Sequence, residues 1–269
     1  MVTETVLEEN TDGLQDNDRN RKWTWKKEHR IGSWNVRSLN RLGAKEEFDD
    51  VMQNFNMTLV ALQEVRWPGK GLEELKNGWL YYSGKEDGKK EEGVAFYLKK
   101  SLKSNVIEFE AINSRLARIR LKSTWLNITA LACYAPTEVS DEEAKDNWYS
   151  LLETVMMKIP RHDLLVLLGD FNAKVGRETQ AFSPAIGENS LHVLSNNNGV
   201  RLATFALQYG LVIGGTIFPH KDSHKGTWIS PSGGTINQID HIFIRQKHRI
   251  PKRYLLFPTT LIGHVLNSV

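Results

Sequence analysis

The segment LLVLLGDFNAKVG carries the strongest local signal for chemistry. Leu164 to Leu168 form an unbroken apolar run, and Gly169, Asp170, Phe171 and Asn172 follow at once. Side chains alternate between faces of an extended chain, so Asp170 and Asn172 are expected on one face while Phe171 returns to the core. A carboxylate beside an amide suits a site that orients a water and holds a phosphate oxygen. The same pair equally suits a tight turn in which both side chains cap backbone amides. Asn35 closes an apolar run in GSWNVRS, and Glu64 closes another in ALQEVRW. A carboxylate with an amide oxygen nearby is a Mg2+-type ligand set, because this hard cation takes oxygen ligands, keeps several waters and needs only one or two protein carboxylates. Taken singly, Asn35 also reads as a turn former and Glu64 as a surface carboxylate paired with Arg66.

Tyr134 follows an apolar run in ACYAPTE, placed either to bond a phosphate or to pack a corner. Downstream, HKGTWISPSGGTINQIDHIFI supplies the pair Thr227 and Trp228, a turn rich in Gly and Ser, and Asp240 inside an apolar strand. Trp228 has the shape to stack or wedge at a nucleic-acid groove and equally to fill a core. A carboxylate buried without a partner is costly, so Asp240 is expected at a rim where it meets water, metal or substrate. Oxygen-rich positions on several strands, without the Cys and His spacing of zinc sites, favour magnesium-assisted phosphodiester chemistry over zinc hydrolysis.

Strands must position these residues. The candidates are RIGSWNV, TLVALQEV, GWLYYSG, GVAFYLKK, a pair around SNVIEFEAI and RLARIRLK, LNITALACYA, DLLVLLGDF, GLVIGGTIF and NQIDHIFI, most bounded by Gly, Pro, Asn or Asp. Helices are predicted over about 44–55, over 141–158 with Ser140 as N-cap, and over 199–209 with Gly210 as the stop. Many strands and few helices point to two packed sheets flanked by helices. Residues 1–29, acidic and then basic, read as a disordered charged leader, and 30–269 as one domain, since neither repeat nor low-complexity linker divides it.

Composition narrows the class. With 40% hydrophobic and 25% charged residues the chain can bury a core and is neither collagen-like nor disordered throughout. The one cysteine, Cys133, sits in an apolar run and reads as a buried thiol in a reducing compartment. The absence of a long apolar run or a signal-peptide pattern predicts an intracellular protein that does not span a membrane. A net charge of +3 is too slight to establish a polyanionic partner. Local clusters (Lys221, Lys225, Arg245, Lys247, Arg249, Lys252, Arg253) are candidates for neutralising phosphates beside a cut, or a solvated strand-end group.

Taken together and in this order, WNV, LQEV, YAPT, GDFN, TW and QIDHIFI resemble the exonuclease-endonuclease-phosphatase superfamily over about residues 30–245. Within it, the WNVRSL and FPHK…TW…NQIDH segments are similar to the apurinic-type endonuclease domain of LINE-like non-LTR retrotransposons and to craniofacial development protein 2-like proteins. The resemblance implies an α/β fold, a four-layer sandwich of two packed, mainly antiparallel sheets flanked by helices. It implies a magnesium site at one edge, with manganese as a substitute, no small-molecule cofactor, DNA as partner and a nuclear location. Carried over by residue, it makes Glu64 a metal ligand with Asn35 beside it, places Tyr134 on the scissile phosphate, and gives Asp170 and Asn172 the attacking water. Asp240 becomes the carboxylate that orients a catalytic histidine, and Thr227 and Trp228 contact nucleic acid. A phosphatase acting on inositol lipids or a nucleotide is the third branch; TW before a Gly/Ser-rich turn fits the nucleic-acid branch better.

The sequence departs from that pattern in two places. Arg37 stands where many apurinic endonucleases have an aspartate. The terminal Asp-His pair is also missing: His241 follows Asp240 too early and points to the opposite face of a strand, grouped with Ile239 and Phe243. His264 lies near the expected distance but lacks the Asp before it. The expectation is therefore a C-terminally truncated or diverged domain without its last strand, either an endonuclease nicking duplex DNA or a remnant that binds nucleic acid without cutting it.

Overall fold

The computed structural model describes residues 29–230, 232 and 234–248. The predicted leader, the predicted loss of a final strand, His264 and the basic residues from 249 onward lie outside the described residues.

Short apolar runs broken by turn formers become strands. One sheet takes β1 (Arg30–Asn35), β2 (Met57–Gln63), β3 (Lys70–Glu74), β4 (Gly78–Ser83) and β5 (Val94–Lys99) in the order β1-β2-β5-β4-β3. A second is built from β6 (Val106–Asn113), β7 (Leu116–Leu121), β8 (Ile128–Tyr134), β9 (Leu164–Asp170), β10 (Leu211–Ile213) and, beyond a ribbon of β11 (Trp228–Ile229) and β12 (Ile236–Asn237), β13 (Asp240–Arg245). Its order is β10-β13-β9-β8-β7-β6. The pairs β1–β2 and β8–β9 are parallel, and the other neighbours in both sheets run antiparallel.

Alternation along the strands sorts side chains into three apolar layers. Leu59 and Ala61 of β2 and Phe96 of β5 meet Ile119, Ala130, Val166 and Ile242 of the second sheet between the sheets. Behind the first sheet, Val60, Leu62 and Tyr97 pack on Phe48 and Met52 of α1 (Ala44–Asn54). Behind the second, Leu165, Leu167 and Phe243 pack on Trp148 and Leu152 of α2 (Glu142–Met157) and, past the single turn α3 (Thr179–Phe182), on Leu202 and Phe205 of α4 (Asn197–Gln208). Helix, sheet, sheet, helix is the four-layer α/β sandwich expected. Cys133 is fully buried in the outer layer, as its apolar run predicted. Among the described residues no helix is long and apolar enough to cross a membrane.

Several boundaries differ for local reasons. Asp141, not Ser140, caps α2: its carboxylate accepts the Ala144 N–H, while the Ser140 hydroxyl bonds Thr137. Helix α4 begins earlier than predicted because Asn196 caps it by accepting the Gly199 N–H, and Gly210, at φ 60°, follows its end as expected. GLVIGGTIF makes only the short β10; Gly214 and Gly215 then enter the one-turn α5 (Gly214–Ile217), with the Thr216 hydroxyl donating to the Ile213 carbonyl. The edge strand β3 has no signal, since KGLEE contains a single apolar residue, Leu72, and that one stays exposed.

Candidate active site

The inward-facing positions of several strands turn polar at the same edge of the sandwich. On β8 the inward series Ile128, Ala130, Ala132 ends in Tyr134; on β9, Leu164, Val166, Leu168 ends in Asp170; on β13, Ile244 and Ile242 lead back to Asp240. Register aligns these ends, because Asp170 pairs with Tyr134 on one side and with Asp240 on the other. From the facing sheet, β1 contributes Asn35 and the end of β2 contributes Glu64. Gly169 permits the tight β8–β9 contact beneath them: a Cβ there would stand 1.9 Å from the Cys133 carbonyl oxygen.

Asn35 ties the two sheets together. Its amide donates to Glu64 Oε1 at 2.8 Å and to Asp170 Oδ2 at 3.1 Å, while its own oxygen accepts the Arg37 N–H at 3.1 Å. Glu64 Oε1 also accepts the Tyr134 hydroxyl at 3.3 Å, and Arg66 donates to its Oε2 at 2.7 Å. Glu64 is thus paired with Arg66, as one reading of the sequence had it, and joined to Asn35 as the other required. Asn172 departs from the expected alternation. The strand stops at Asp170, and Asn172 adopts φ 49°, so its N–H reaches Asp170 Oδ1 at 2.9 Å and its side chain donates to the Ala135 carbonyl at 2.9 Å. This is the capping turn that was the alternative reading of GDFN. Phe171 returns to the core as expected.

Non-glycine residues with positive φ are uncommon, and five of the seven among the described residues, Arg37, Ser38, Glu64, Arg66 and Asn172, lie on the loops that carry the site, the others being Asn56 and Glu92. Beside it is a cavity of about 380 Å3 walled by Asn35, Asp170 and Asp240, with Arg37, Trp228 and Phe48 among its other lining residues. Trp228 is half-buried against this cavity. Thr227 Oγ1 accepts the N–H groups of Ile239 and Asp240 at 3.0 and 3.1 Å and so holds the backbone at Asp240.

The electrostatics at this rim are lopsided. Burial pushes the carboxyls of both Asp170 and Asp240 above the usual range, and each raises the other or feels Glu64 in the same direction. Asp240 Oδ1 is buried with no hydrogen-bond partner among the described residues. Burial acts on Glu64 in the same sense, but hydrogen bonds from Asn35 and Arg66 outweigh it and hold Glu64 below the usual range. Burial, with Glu64 and Asp170 nearby, raises the Tyr134 phenol, so its proton stays on. A buried carboxylate pair with an orphaned oxygen is a donor set that a hard divalent cation fits. Among the described residues no group of three or more His, Cys, Asp or Glu side chains is placed to hold a metal ion.

Two supports were not foreseen. Arg115 lies 4.7 Å over the Tyr134 ring, pairs with Glu92 and donates to the Ala135 carbonyl at 3.3 Å. Asn198, on the first turn of α4, donates to the Asn172 carbonyl at 2.9 Å. Neither has a local signal: an arginine before a strand and an asparagine in NNNG read as solvated residues. Arg245 and Lys247 are far from the rim, both donating to the Arg161 carbonyl at the other end of β13, so they do not flank the site. Lys225 is buried against Asp222 at 2.8 Å. His241 is turned away from Asp240 and packs between Phe171 and Phe243, as the alternation of NQIDHIFI predicted; burial lowers it to about 4.

Residues 32–260 match the Endonuclease/Exonuclease/phosphatase family. Craniofacial development protein 2 from Bos taurus is 32% identical over 224 residues, which are 83% of this chain and 37% of that protein. The chain thus spans less than two fifths of the length of this curated relative. In fold it is similar to an AP endonuclease from Archaeoglobus fulgidus (TM-score 0.56, 16% identity, 81% of this chain and 87% of the other). It is similar also to the endonuclease domain of TRAS1, a telomere-specific non-LTR retrotransposon (TM-score 0.52, 15% identity, 81% and 86%).

Proposed function

The chain belongs to the endonuclease/exonuclease/phosphatase family, and on that premise we propose that it is a Mg2+-dependent phosphodiesterase, a retrotransposon-type endonuclease that nicks duplex DNA. Residues 30–269 form its catalytic domain, which acts in the nucleus. The observation that carries this reading is the pair of buried carboxylates, Asp170 and Asp240, in register at a rim where Asn35 links Asp170 to Glu64.

Glu64, with Asn35 beside it, holds the cation, for which Mn2+ substitutes; when bound, it supplies positive charge to the phosphodiester and the attacking water. Asp170 accepts a proton from that water as it attacks phosphorus and the P–O3′ bond breaks, the departing 3′-oxygen taking a proton from solvent to leave a 3′-hydroxyl; Asn172 keeps the Asp170 carboxylate turned toward the water through its N–H. Tyr134 retains its proton and donates to a phosphate oxygen. Trp228 packs against the nucleic acid beside the cavity, while Thr227 holds the backbone of Asp240. Asp240 is the carboxylate that would orient an acid–base histidine, and the candidate, His264, lies outside the described residues.

A second reading is favoured by the orientation of His241: among the described residues no histidine lines the cavity. On that reading the domain binds DNA without cutting it. Supercoiled plasmid incubated with the protein separates the two. Nicking in Mg2+ that EDTA and Asp170→Ala abolish supports the enzyme; retention of DNA in a gel shift with no nicking supports the binding remnant.

A further inference from the structure

The strand that delivers Asp240 to the rim also delivers His241 to the opposite side, where a histidine is a costly choice. The ring is 3% exposed, with its centroid 6.4 Å from that of Phe171 and 6.5 Å from that of Phe243. A leucine or phenylalanine would fill such a layer with no polar atom to satisfy. Nδ1 has no partner among the described residues, so the imidazole makes one hydrogen bond, from Nε2 to the Ala173 carbonyl at 2.8 Å. A carbonyl only accepts, so Nε2 carries the proton.

The Ala173 carbonyl closes the turn that carries the carboxylate. The Phe171 N–H donates to the Ile239 carbonyl at 3.0 Å, the Asn172 N–H to Asp170 Oδ1 at 2.9 Å, and Asn198 donates to the Asn172 carbonyl at 2.9 Å. Asn172 itself is held at φ 49°, a conformation that persists only where its surroundings over-determine it. His241 fastens the far end of this turn to β13, the strand that begins at its neighbour Asp240.

We propose that His241 is a positioning residue: by holding the Ala173 carbonyl it fixes the left-handed Asn172 turn, and with it the aim of Asp170 relative to Asp240. This rests on the reading of the rim as the active site. The role is mechanical and involves no proton transfer to substrate.

The test compares His241→Leu, which removes the donor, with His241→Gln, whose side-chain amide can replace it. His241→Phe takes the place of the leucine variant should that one fail to fold. Expected for loss of the donor is a fall in kcat of about 10- to 100-fold, since misplacing a reacting group by roughly an ångström costs that much. KM for DNA should stay within about twofold, and His241→Gln should recover most of kcat. Hydrogen exchange at the Asn172 N–H should quicken in the donor-less variant and recover in His241→Gln. Unchanged kcat without the donor, or equal loss in both variants, would overturn the proposal. Where the wild-type protein cuts no DNA, the endonuclease reading fails by itself, and the Asn172 exchange alone decides: faster and rescued supports the positioning role, unchanged refutes it.

Discussion

Strand β9 carries an aspartate at each end, and the fold treats the two in opposite ways. Asp163, just before the strand, has a fully buried side chain, yet its oxygens accept from Arg120 at 2.7 and 3.0 Å and from Thr129 at 2.7 Å. Burial acts to raise its carboxyl, but those bonds outweigh burial and hold it below the usual range. Asp170, at the last position of the strand, receives one amide and one backbone N–H and faces a second buried carboxylate, and its carboxyl is pushed up. Asp163 is supplied with its counter-charge by the chain, whereas no ion pair reaches Asp170 among the described residues, and the more distant Arg115 does not offset its burial. The difference is the ground, independent of resemblance, on which the proposed catalytic role falls to Asp170 and not to Asp163.

Turnover should separate the two ends of β9 most widely. Asp170→Asn is expected to lower DNA nicking by about 1000-fold or more, the scale for losing an acid–base group, while Asp163→Asn, assayed where it remains folded, changes kcat by less than about threefold. Equal losses from the two would mean that the ends do not differ in kind.

Stability should respond with opposite signs. Removing Asp163 leaves the Arg120 guanidinium without its partner and is expected to cost about 3 kcal/mol, read as a lower urea midpoint for Asp163→Ala. Asp170→Asn in EDTA relieves a buried charge and should raise the midpoint, by about 1 kcal/mol. A destabilised Asp170→Asn would show that this carboxylate is as well satisfied as Asp163.

The pH dependence follows from the same contrast and is smaller in practice, because the two ends oppose one another. Asp163 has a folded pKa below its unfolded value, so its stabilisation is present above the ordinary carboxylate range and is lost as pH falls through the lowered value. Asp170 and Asp240 have folded pKa values above their unfolded ones, so their contribution is present at acid pH and lost as pH rises through the raised values. In EDTA, Asp163→Asn should therefore flatten the acid limb of the stability curve, and Asp170→Asn the limb above it. Chemical denaturation across pH 3 to 8 checks both, using about pH 4 as the unfolded reference.

Much of this was legible in the residues. The four layers follow from alternation and helical periodicity, and the rim residues were visible because a polar side chain ended each apolar run: Asn35, Glu64, Tyr134 and Asp170. What the sequence hid was three-dimensional. Extended alternation put Asn172 beside Asp170 on one face, but a left-handed turn, closed by hydrogen bonds from distant Asn198 and His241, overrides it. Thr227, read as a contact for nucleic acid, also accepts two backbone N–H groups where NQIDHIFI passes from a ribbon into a strand, a tie that no local pattern announces. Arg115 could not be placed over Tyr134 without the β7–β8 register.

On the proposed function, a divalent ion supplies the positive charge that the Asp170 end of β9 does not receive from the chain. Mn2+ titration followed by electron paramagnetic resonance tests it most directly, on the wild-type protein beside Glu64→Gln, Asp170→Asn and Asp163→Asn. The account predicts a bound ion in the wild type and in Asp163→Asn, with affinity reduced about tenfold or more by the rim substitutions. No binding to the wild type, or binding indifferent to Glu64 and Asp170, would contradict it.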